Sequence, residues 1–221
     1  TGPAALGGTQ LEGGKKAERI PEGFDEVDFN YKGINQFEKT DKTAVAGAAV
    51  LQQIPYPVMA EIETMKGCIR TKGCSFCTEP LKNAFTSREQ ADIVAEMKAL
   101  YGAGVRHFRL GKQTCMYTYK NYRTEELRKL FAGIRSNLPG IETLHIDNAN
   151  PSFVVGERGR EMTKILVEYC TPGNVAAFGV ETFDERVVRQ NNLNTTPEQT
   201  YEAVKIINDI GGKRGSNGLP M

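Results

Sequence analysis

Three cysteines lie within ten residues of one another, in a segment otherwise rich in glycine, lysine and serine. Cys68, Cys74 and Cys77 form a C-x5-C-x2-C array. Thiolates at this spacing can bind three irons of a cubane iron–sulfur cluster or three corners of a zinc site. A cubane held by three cysteines leaves one iron open for a further ligand, which is a reactive arrangement rather than a structural one. The array therefore predicts a metal centre on one loop.

Two other interpretations of these cysteines stay open on the residues alone. A structural zinc site takes four ligands, commonly two C-x2-C pairs or two cysteines with two histidines. The chain lacks a second such pair, so a zinc- or cluster-stabilised binding module would need Cys115 as its fourth ligand, or one of His107 and His145. The other interpretation is buried free thiols, which the polar composition of the loop argues against.

The composition of the 221-residue chain argues against several classes of protein. Lys and Arg number 28 against 27 Asp and Glu, and this net charge of +1 does not suit a polybasic nucleic-acid binder. No apolar stretch approaches the roughly 18 residues of a membrane span, and the first residues do not resemble a signal peptide. The odd number of cysteines, 5, is poor material for a disulfide framework. We therefore expect a cytoplasmic protein.

The first 56 residues are predicted to be an irregular segment. The beginning of the segment is rich in glycine and charged residues, so it cannot bury much apolar surface. Residues 43–53 are predicted to form a short helix that Pro55 and Pro57 close. We interpret residues 1–56 as the tail of a missing domain and residues 57–221 as a truncated core domain.

From residue 57 onward, strand-like and helix-like patterns alternate four times. Apolar runs predict strands at residues 58–62, 105–110, 141–146 and 175–180. The helices between and after them are predicted from N-cap residues and from apolar residues at helical spacing. The N-caps are Ser87 with Gln90, Thr124, and Thr196 with Gln199, while the remaining helix covers about residues 157–170.

Each predicted helix has an apolar stripe that we expect to face the core. The stripes are Ile93, Val94, Met97, Leu100 and Tyr101; Leu127, Leu130, Phe131, Ile134 and Leu138; Met162, Ile165, Leu166 and Tyr169; and Val204, Ile207 and Ile210. Strands alternating with crossover helices imply a parallel sheet with right-handed connections. A full eight-unit barrel needs about 250 residues, so we expect an α/β fold, a partial parallel (β/α) barrel of about four βα units. Ligands of such folds bind at the carboxyl ends of the strands.

The cysteine array and its surroundings resemble the radical S-adenosylmethionine (SAM) superfamily. The array follows the first strand of a partial barrel and has an aromatic residue, Phe76, just before its last cysteine. Its spacing departs from the C-x3-C-x2-C that is commonest in the superfamily. The phrases EIETMKGCIRTKGCSFCTEP, GVRHFRLGKQ and GVETFDERVVRQNNLNTTPEQ resemble an uncharacterised, largely archaeal group of radical SAM proteins with a C-terminal helix-hairpin-helix.

The resemblance implies a 4Fe–4S cluster and SAM as cofactors, with Cys68, Cys74 and Cys77 as the cluster ligands. In the family the open iron chelates SAM, and an electron from the cluster cleaves SAM to methionine and a 5′-deoxyadenosyl radical. The implied partners are SAM, an electron donor and an unknown substrate; the helix-hairpin-helix of the relatives suggests nucleic acid by analogy. Lys66, Arg70 and Lys72 are either cations that help the cluster accept an electron or an ordinary solvated basic loop.

The resemblance also implies SAM contacts at the other strand ends. After the second strand, Gly111 stands where the family has a Gly-Gly-Glu-like segment, and Gln113 or a backbone carbonyl would replace the glutamate. After the third strand, Asp147 or Asn148 would bind ribose hydroxyls or substrate, unless they only form an Asx-rich turn. His145 is as readily a core histidine as a proton carrier.

The end of the fourth predicted strand carries the last pair of candidates. Glu181 would accept a hydrogen bond from a ribose hydroxyl, and Arg189 would pair with the methionyl carboxylate. The alternative for Arg189 is a surface ion pair with Glu185 at i,i+4 spacing. The chain begins without Met and ends at Met221, where the next strand is expected, so we expect a fragment.

Overall fold

The computed structural model describes residues 37–56 and 58–212, which form a parallel sheet with helices packed on one of its faces. The prediction for residues 1–36 lies outside the described residues. The strands are β1 (Met59–Glu63), β2 (Met65–Lys66), β3 (Thr86–Ser87), β4 (His107–Gly111), β5 (Thr143–Ile146), β6 (Asn148–Ala149) and β7 (Ala177–Phe178). The helices are α1 (Glu38–Gly47), α2 (Glu79–Lys82), α3 (Gln90–Gly102), α4 (Tyr119–Tyr122), α5 (Thr124–Asn137), α6 (Pro151–Val154), α7 (Gly156–Tyr169), α8 (Glu185–Gln190) and α9 (Pro197–Gly211), with 3-10 turns at Ala48–Gln53 and Met116–Thr118.

The main sheet has the parallel order β1-β4-β5, as the alternating pattern predicts. The fourth predicted strand, residues 175–180, is reduced to the two residues of β7, which pair in parallel with β6. Because β6 starts two residues after β5 ends, β7 extends the same strand order beyond β5. The fold is therefore the expected partial parallel β/α barrel, with its last strand shorter than predicted.

Successive residues of each strand point to opposite faces of the sheet. Ile62, Phe108, Leu110, Leu144 and Ile146 are buried against the helices. The four stripe residues of α5 and Leu138, which follows the helix, are also buried, and each such side chain stabilises the fold by about 1.5–3 kcal/mol. In α9 the stripe is placed differently, because Ala203 and Ile206 are buried whereas Val204 is 44% exposed. The prediction that Val204 faces the core is therefore wrong.

A hairpin of two-residue strands separates the cysteine segment from the sheet. β2 pairs with β3 in antiparallel register, Met65 opposite Ser87. Ser87 was expected to cap α3, but this pairing holds it in a strand, and its hydroxyl accepts a hydrogen bond from the Lys120 N–H at 3.0 Å. Helix α3 begins at Gln90 instead, after Glu89. At α9, by contrast, Thr196 and Gln199 form the expected capping box.

The segment before β1 is helical and packed on the domain. The predicted helix at residues 43–53 begins earlier, at Glu38, and its second half is a 3-10 turn. Asp41 of α1 accepts a hydrogen bond from Arg88 Nε at 2.5 Å, and Arg88, which is only 1% exposed, also pairs with Glu96 of α3. Removing one partner of such a buried pair leaves an uncompensated charge. Of the helices in the described residues, none has the length and apolar composition of a membrane span.

Candidate functional site

A cavity of about 280 Å³ opens where the carboxyl ends of the strands meet. This volume is close to the lower end of the roughly 300–1,000 Å³ of small-molecule pockets. Its lining includes all three cysteines of the array, together with Asn148 of β6 and Glu181, which follows β7. Segments separated by more than 100 residues of sequence thus meet at one site, because parallel strands all end at the same edge of the sheet.

The cysteine loop lies in the segment that connects β2 to β3. Gly67, at its start, has φ +72°, and a Cβ there would lie 2.5 Å from the Asn83 carbonyl oxygen, so only glycine fits. Thr114, which follows β4, donates a hydrogen bond to the Gly67 carbonyl oxygen at 3.2 Å. The hairpin and this contact fix the base of the loop at the edge of the cavity.

The three thiols of the loop suit a cluster better than a single ion. They are half-buried, and burial raises the pKa of the Cys77 thiol, with further increases from the nearby Cys74 and Cys68. A bound metal reverses this effect, since a coordinating thiol is deprotonated. A structural zinc site takes four ligands, whereas this loop supplies three thiols, the number that a cubane with one open iron takes. The donor set therefore fits a 4Fe–4S cluster.

Cys115 lines the same cavity but has the features of a packing residue. It is 2% exposed, and its sulfur accepts a hydrogen bond from the Asn150 N–H at 3.2 Å. Burial raises the pKa of the Cys115 thiol to about 11, so the thiol is neutral near pH 7. The zinc module with Cys115 as fourth ligand stays an alternative, which a Cys115→Ala variant tests.

The far side of the cysteine loop is held by the residues that follow α8. The Ser75 hydroxyl donates to Asn191 Oδ1 at 2.7 Å, and the Ser75 N–H donates to the Asn191 carbonyl oxygen at 2.9 Å. Asn192 Nδ2 donates to the carbonyl oxygens of Lys72 and Gly73 at 3.1 and 2.9 Å. These contacts join the loop to a segment nearly 120 residues away in sequence.

Arg70 connects this segment to a cysteine of the array. Its Nη1 donates to Cys74 Sγ at 3.3 Å, while Nη2 donates to the carbonyl oxygen and Oδ1 of Asn192 at 2.9 and 3.2 Å. Sequence reasoning singled out Arg70 as a possible cation near the cluster but missed Asn192. The available signal was the Asn191-Asn192 pair after a helix, since asparagine tolerates the positive φ, +48°, that Asn192 adopts.

The six predicted SAM contacts are not all at the cavity. Asn148 and Glu181 line it, whereas Gly111, Gln113, Asp147 and Arg189 do not. Gln113 is buried and supports the site from behind. Its Nε2 donates to the Leu110 carbonyl oxygen at 2.9 Å, and its own carbonyl oxygen accepts from Asn148 Nδ2 at 2.9 Å.

The remaining predicted contacts have other local roles. A Cβ at Gly111 would lie 2.2 Å from Glu61 Oε1, so this glycine makes room for a carboxylate of β1. The backbone N–H of Asp147 donates to the Leu110 carbonyl oxygen at 3.0 Å and continues the sheet. Arg189 forms an exposed i,i+4 ion pair with Glu185 at 3.0 Å, which was the alternative considered for it. His145 is half-buried, and burial lowers its pKa.

Sequence comparison assigns the family. Residues 62–221 match the profile described as "Radical SAM superfamily". An uncharacterised protein of Methanocaldococcus jannaschii is 47% identical over 214 residues, which cover 89% of this chain and 39% of that protein. The ribosomal protein uS12 methylthiotransferase RimO of Phocaeicola vulgatus is 22% identical over 148 residues, 66% of this chain and 33% of RimO.

A solved structure has the same fold. It is the radical S-adenosylmethionine methyltransferase TsrM from Kitasatospora setae, described with tryptophan substrate and a SAM analog bound. The similarity has a TM-score of 0.53 at 20% sequence identity and covers 69% of this chain and 29% of TsrM.

The fold, the cysteine loop and the profile match together define the class of protein. The chain belongs to the radical SAM superfamily, a family of enzymes that use a 4Fe–4S cluster and SAM. The chain spans 39% of the length of its Methanocaldococcus jannaschii relative.

Proposed function

We propose that this chain is the cluster-binding core of a radical SAM enzyme. Cys68, Cys74 and Cys77 would hold three irons of a 4Fe–4S cluster, and SAM would occupy the cavity toward Asn148 and Glu181. When bound, the cluster supplies the electron that cleaves SAM reductively and generates an organic radical. The observation that carries the proposal is that the three cysteines and these two polar residues line one cavity.

The residues of this chain would bind, orient and desolvate the cofactors. The carboxylate of Glu181 is an acceptor for ribose hydroxyls, and the carboxamide of Asn148, oriented by its bond to the Gln113 carbonyl oxygen, presents a polar group beside it. The side chains of Phe76, Pro80 and Phe153 make part of the lining apolar. Apolar walls reduce the access of water to a reactive species.

The SAM contacts of Gly111, Gln113, Asp147 and Arg189 stay predictions. In the geometry described above they support the site from behind or lie outside the cavity. RimO is named as a methylthiotransferase of a ribosomal protein, whereas TsrM is described with tryptophan as its substrate. Both proteins nevertheless match this core. We infer that the substrate is selected by parts of the enzyme other than this core.

Single cysteine-to-alanine variants test the ligand assignment. After anaerobic reconstitution with iron and sulfide, we expect Cys68→Ala, Cys74→Ala and Cys77→Ala each to lose most of the bound iron, because each removes a cluster ligand. Cys115→Ala should keep the iron content and the visible absorption of the parent protein, and Cys170→Ala, in the core away from the cavity, is the matched control for loss of a buried thiol.

The opposite pattern would contradict the proposal. If Cys115→Ala lost the metal as completely as Cys77→Ala, a fully ligated structural site would explain the data. If the parent protein bound about one zinc and no iron, the cluster assignment would be wrong.

A further inference from the structure

Arg70 forms hydrogen bonds with two separate parts of the molecule, which an arginine of an ordinary solvated loop does not do. One nitrogen of its guanidinium donates to Cys74 Sγ, and the other donates to two oxygens of Asn192. Among the described residues, no carboxylate lies within ion-pair distance of Arg70. The planar, forked guanidinium can serve both partners at once, which the ammonium of lysine cannot do in the same geometry.

Asn192 holds the guanidinium and the loop backbone in one arrangement. Its Nδ2 binds the carbonyl oxygens of Lys72 and Gly73, the two residues just before Cys74, while its oxygens face Arg70. Asn192 follows the C-cap of α8, a position where a left-handed residue, here with φ +48°, commonly ends a helix. Its N–H donates to the Arg189 carbonyl oxygen at 3.3 Å and the Leu193 N–H donates to the Val188 carbonyl oxygen at 3.0 Å, so the end of the helix fixes the backbone from which Asn192 contacts the loop.

We propose that Arg70 is a positioning residue that raises the reduction potential of the cluster through Cys74, and that Asn192 fixes its guanidinium for this purpose. The inference rests on the proposed function, since it requires Cys74 to be a cluster ligand. Reduction adds one electron, and its negative charge is shared with the sulfur atoms. A cationic donor 3.3 Å from one sulfur stabilises the reduced form more than the oxidised form.

The test is a redox titration of the reconstituted protein with dithionite and mediator dyes, followed by EPR spectroscopy. Arg70→Met removes the donor and the charge but keeps an unbranched side chain. We expect its equilibrium constant for one-electron reduction to fall about tenfold, which is a midpoint about 59 mV more negative. The iron content should equal that of the parent protein. Arg70→Lys keeps the charge without the fork and should give an intermediate shift.

Two further variants separate positioning from charge and from folding. Lys72→Met removes a positive charge from the same loop, and we expect a smaller shift than for Arg70→Met. Asn192→Gly keeps the left-handed backbone and the carbonyl acceptor but loses the side chain, so its midpoint should move in the same direction as that of Arg70→Met, by less. If Arg70→Met does not take up iron, Arg70→Lys and Asn192→Gly decide the question.

Three results would overturn the inference: an unchanged midpoint in Arg70→Met, equal shifts in Arg70→Met and Lys72→Met, or, where Arg70→Met fails to assemble, unchanged midpoints in both Arg70→Lys and Asn192→Gly. Failure of the parent protein to form a cluster would instead contradict the proposed function, so the two failures are distinguishable.

Discussion

At the scale of single residues, the thiols of this chain divide by burial. The three array cysteines are half-buried at the cavity, whereas Cys170 is 4% exposed in the core. Burial raises the pKa of the Cys170 thiol to about 12, and the nearby Arg135 only partly opposes this. An unfolded cysteine has a pKa of about 8.5. Above that pH the unfolded state therefore binds fewer protons than the native state.

The raised pKa of Cys170 predicts that the protein loses stability as the pH rises into the alkaline range. Because the folded pKa is raised, the free energy of unfolding falls as pH increases above about 8.5, by up to about 1.4 kcal/mol per pH unit for this group. Urea unfolding of the reduced protein at pH 8, 9 and 10 measures the slope. Cys170→Ala should have a shallower slope, although its stability at pH 8 is lower. Equal slopes in both proteins would show that Cys170 does not cause the effect.

Residue types and spacing predicted the cysteine array as a site, and position after a strand predicted Asn148 and Glu181; all of these residues line the cavity. The same reasoning could not separate Arg189 from its i,i+4 partner Glu185, because a local ion pair and a ligand contact have the same sequence signal. It also missed Asn192, whose partners lie about 120 residues away. Contacts of that range are set by the fold rather than by a motif.

At the scale of elements, the most unusual segment is α4. Lys120, Asn121 and Tyr122 have φ values of +48°, +62° and +61°, so this short turn is left-handed. The turn leads to Tyr122, whose hydroxyl donates to the Phe153 carbonyl oxygen at 2.9 Å and whose ring contacts the Phe153 ring edge-on. Because Phe153 lines the cavity, the turn supports one wall of the site.

A glycine in this turn should stabilise the protein. We expect Asn121→Gly to raise the free energy of unfolding by up to about 1 kcal/mol, since glycine adopts positive φ without the steric cost of a side chain. Asn121→Val should lower it by more than about 1 kcal/mol. Ser136→Gly, in the right-handed helix α5, is the control and should be mildly destabilising. Chemical denaturation measures all three; a destabilising Asn121→Gly would contradict the left-handed turn.

Local signals predicted some elements and failed for others. The capping box of Thr196 and Gln199 lies within four residues, and the helix begins where it predicts. Ser87 has the same signal, but its pairing with Met65 across the β2–β3 hairpin outweighs it. Two-residue strands have no periodicity to detect, so only the tertiary structure reveals them.

At the scale of the whole molecule, the parallel strand order follows from the alternating pattern, but the role of α1 does not. Arg88 and Asp41 join α1 to the core through a buried pair between residues 47 positions apart. The site is assembled in the same way, from a loop near residue 70 and segments near residues 148 and 181–192. We therefore propose that this cavity, assembled from distant segments, binds both the cluster and SAM.

The measurement that tests this claim most directly is EPR spectroscopy of the anaerobically reconstituted, dithionite-reduced protein with and without SAM. We predict a 4Fe–4S signal whose g values change on adding SAM and do not change on adding adenosine, which lacks the chelating amino and carboxylate groups. Cys115→Ala should give the same response. A cluster signal that is identical with and without SAM would contradict the account.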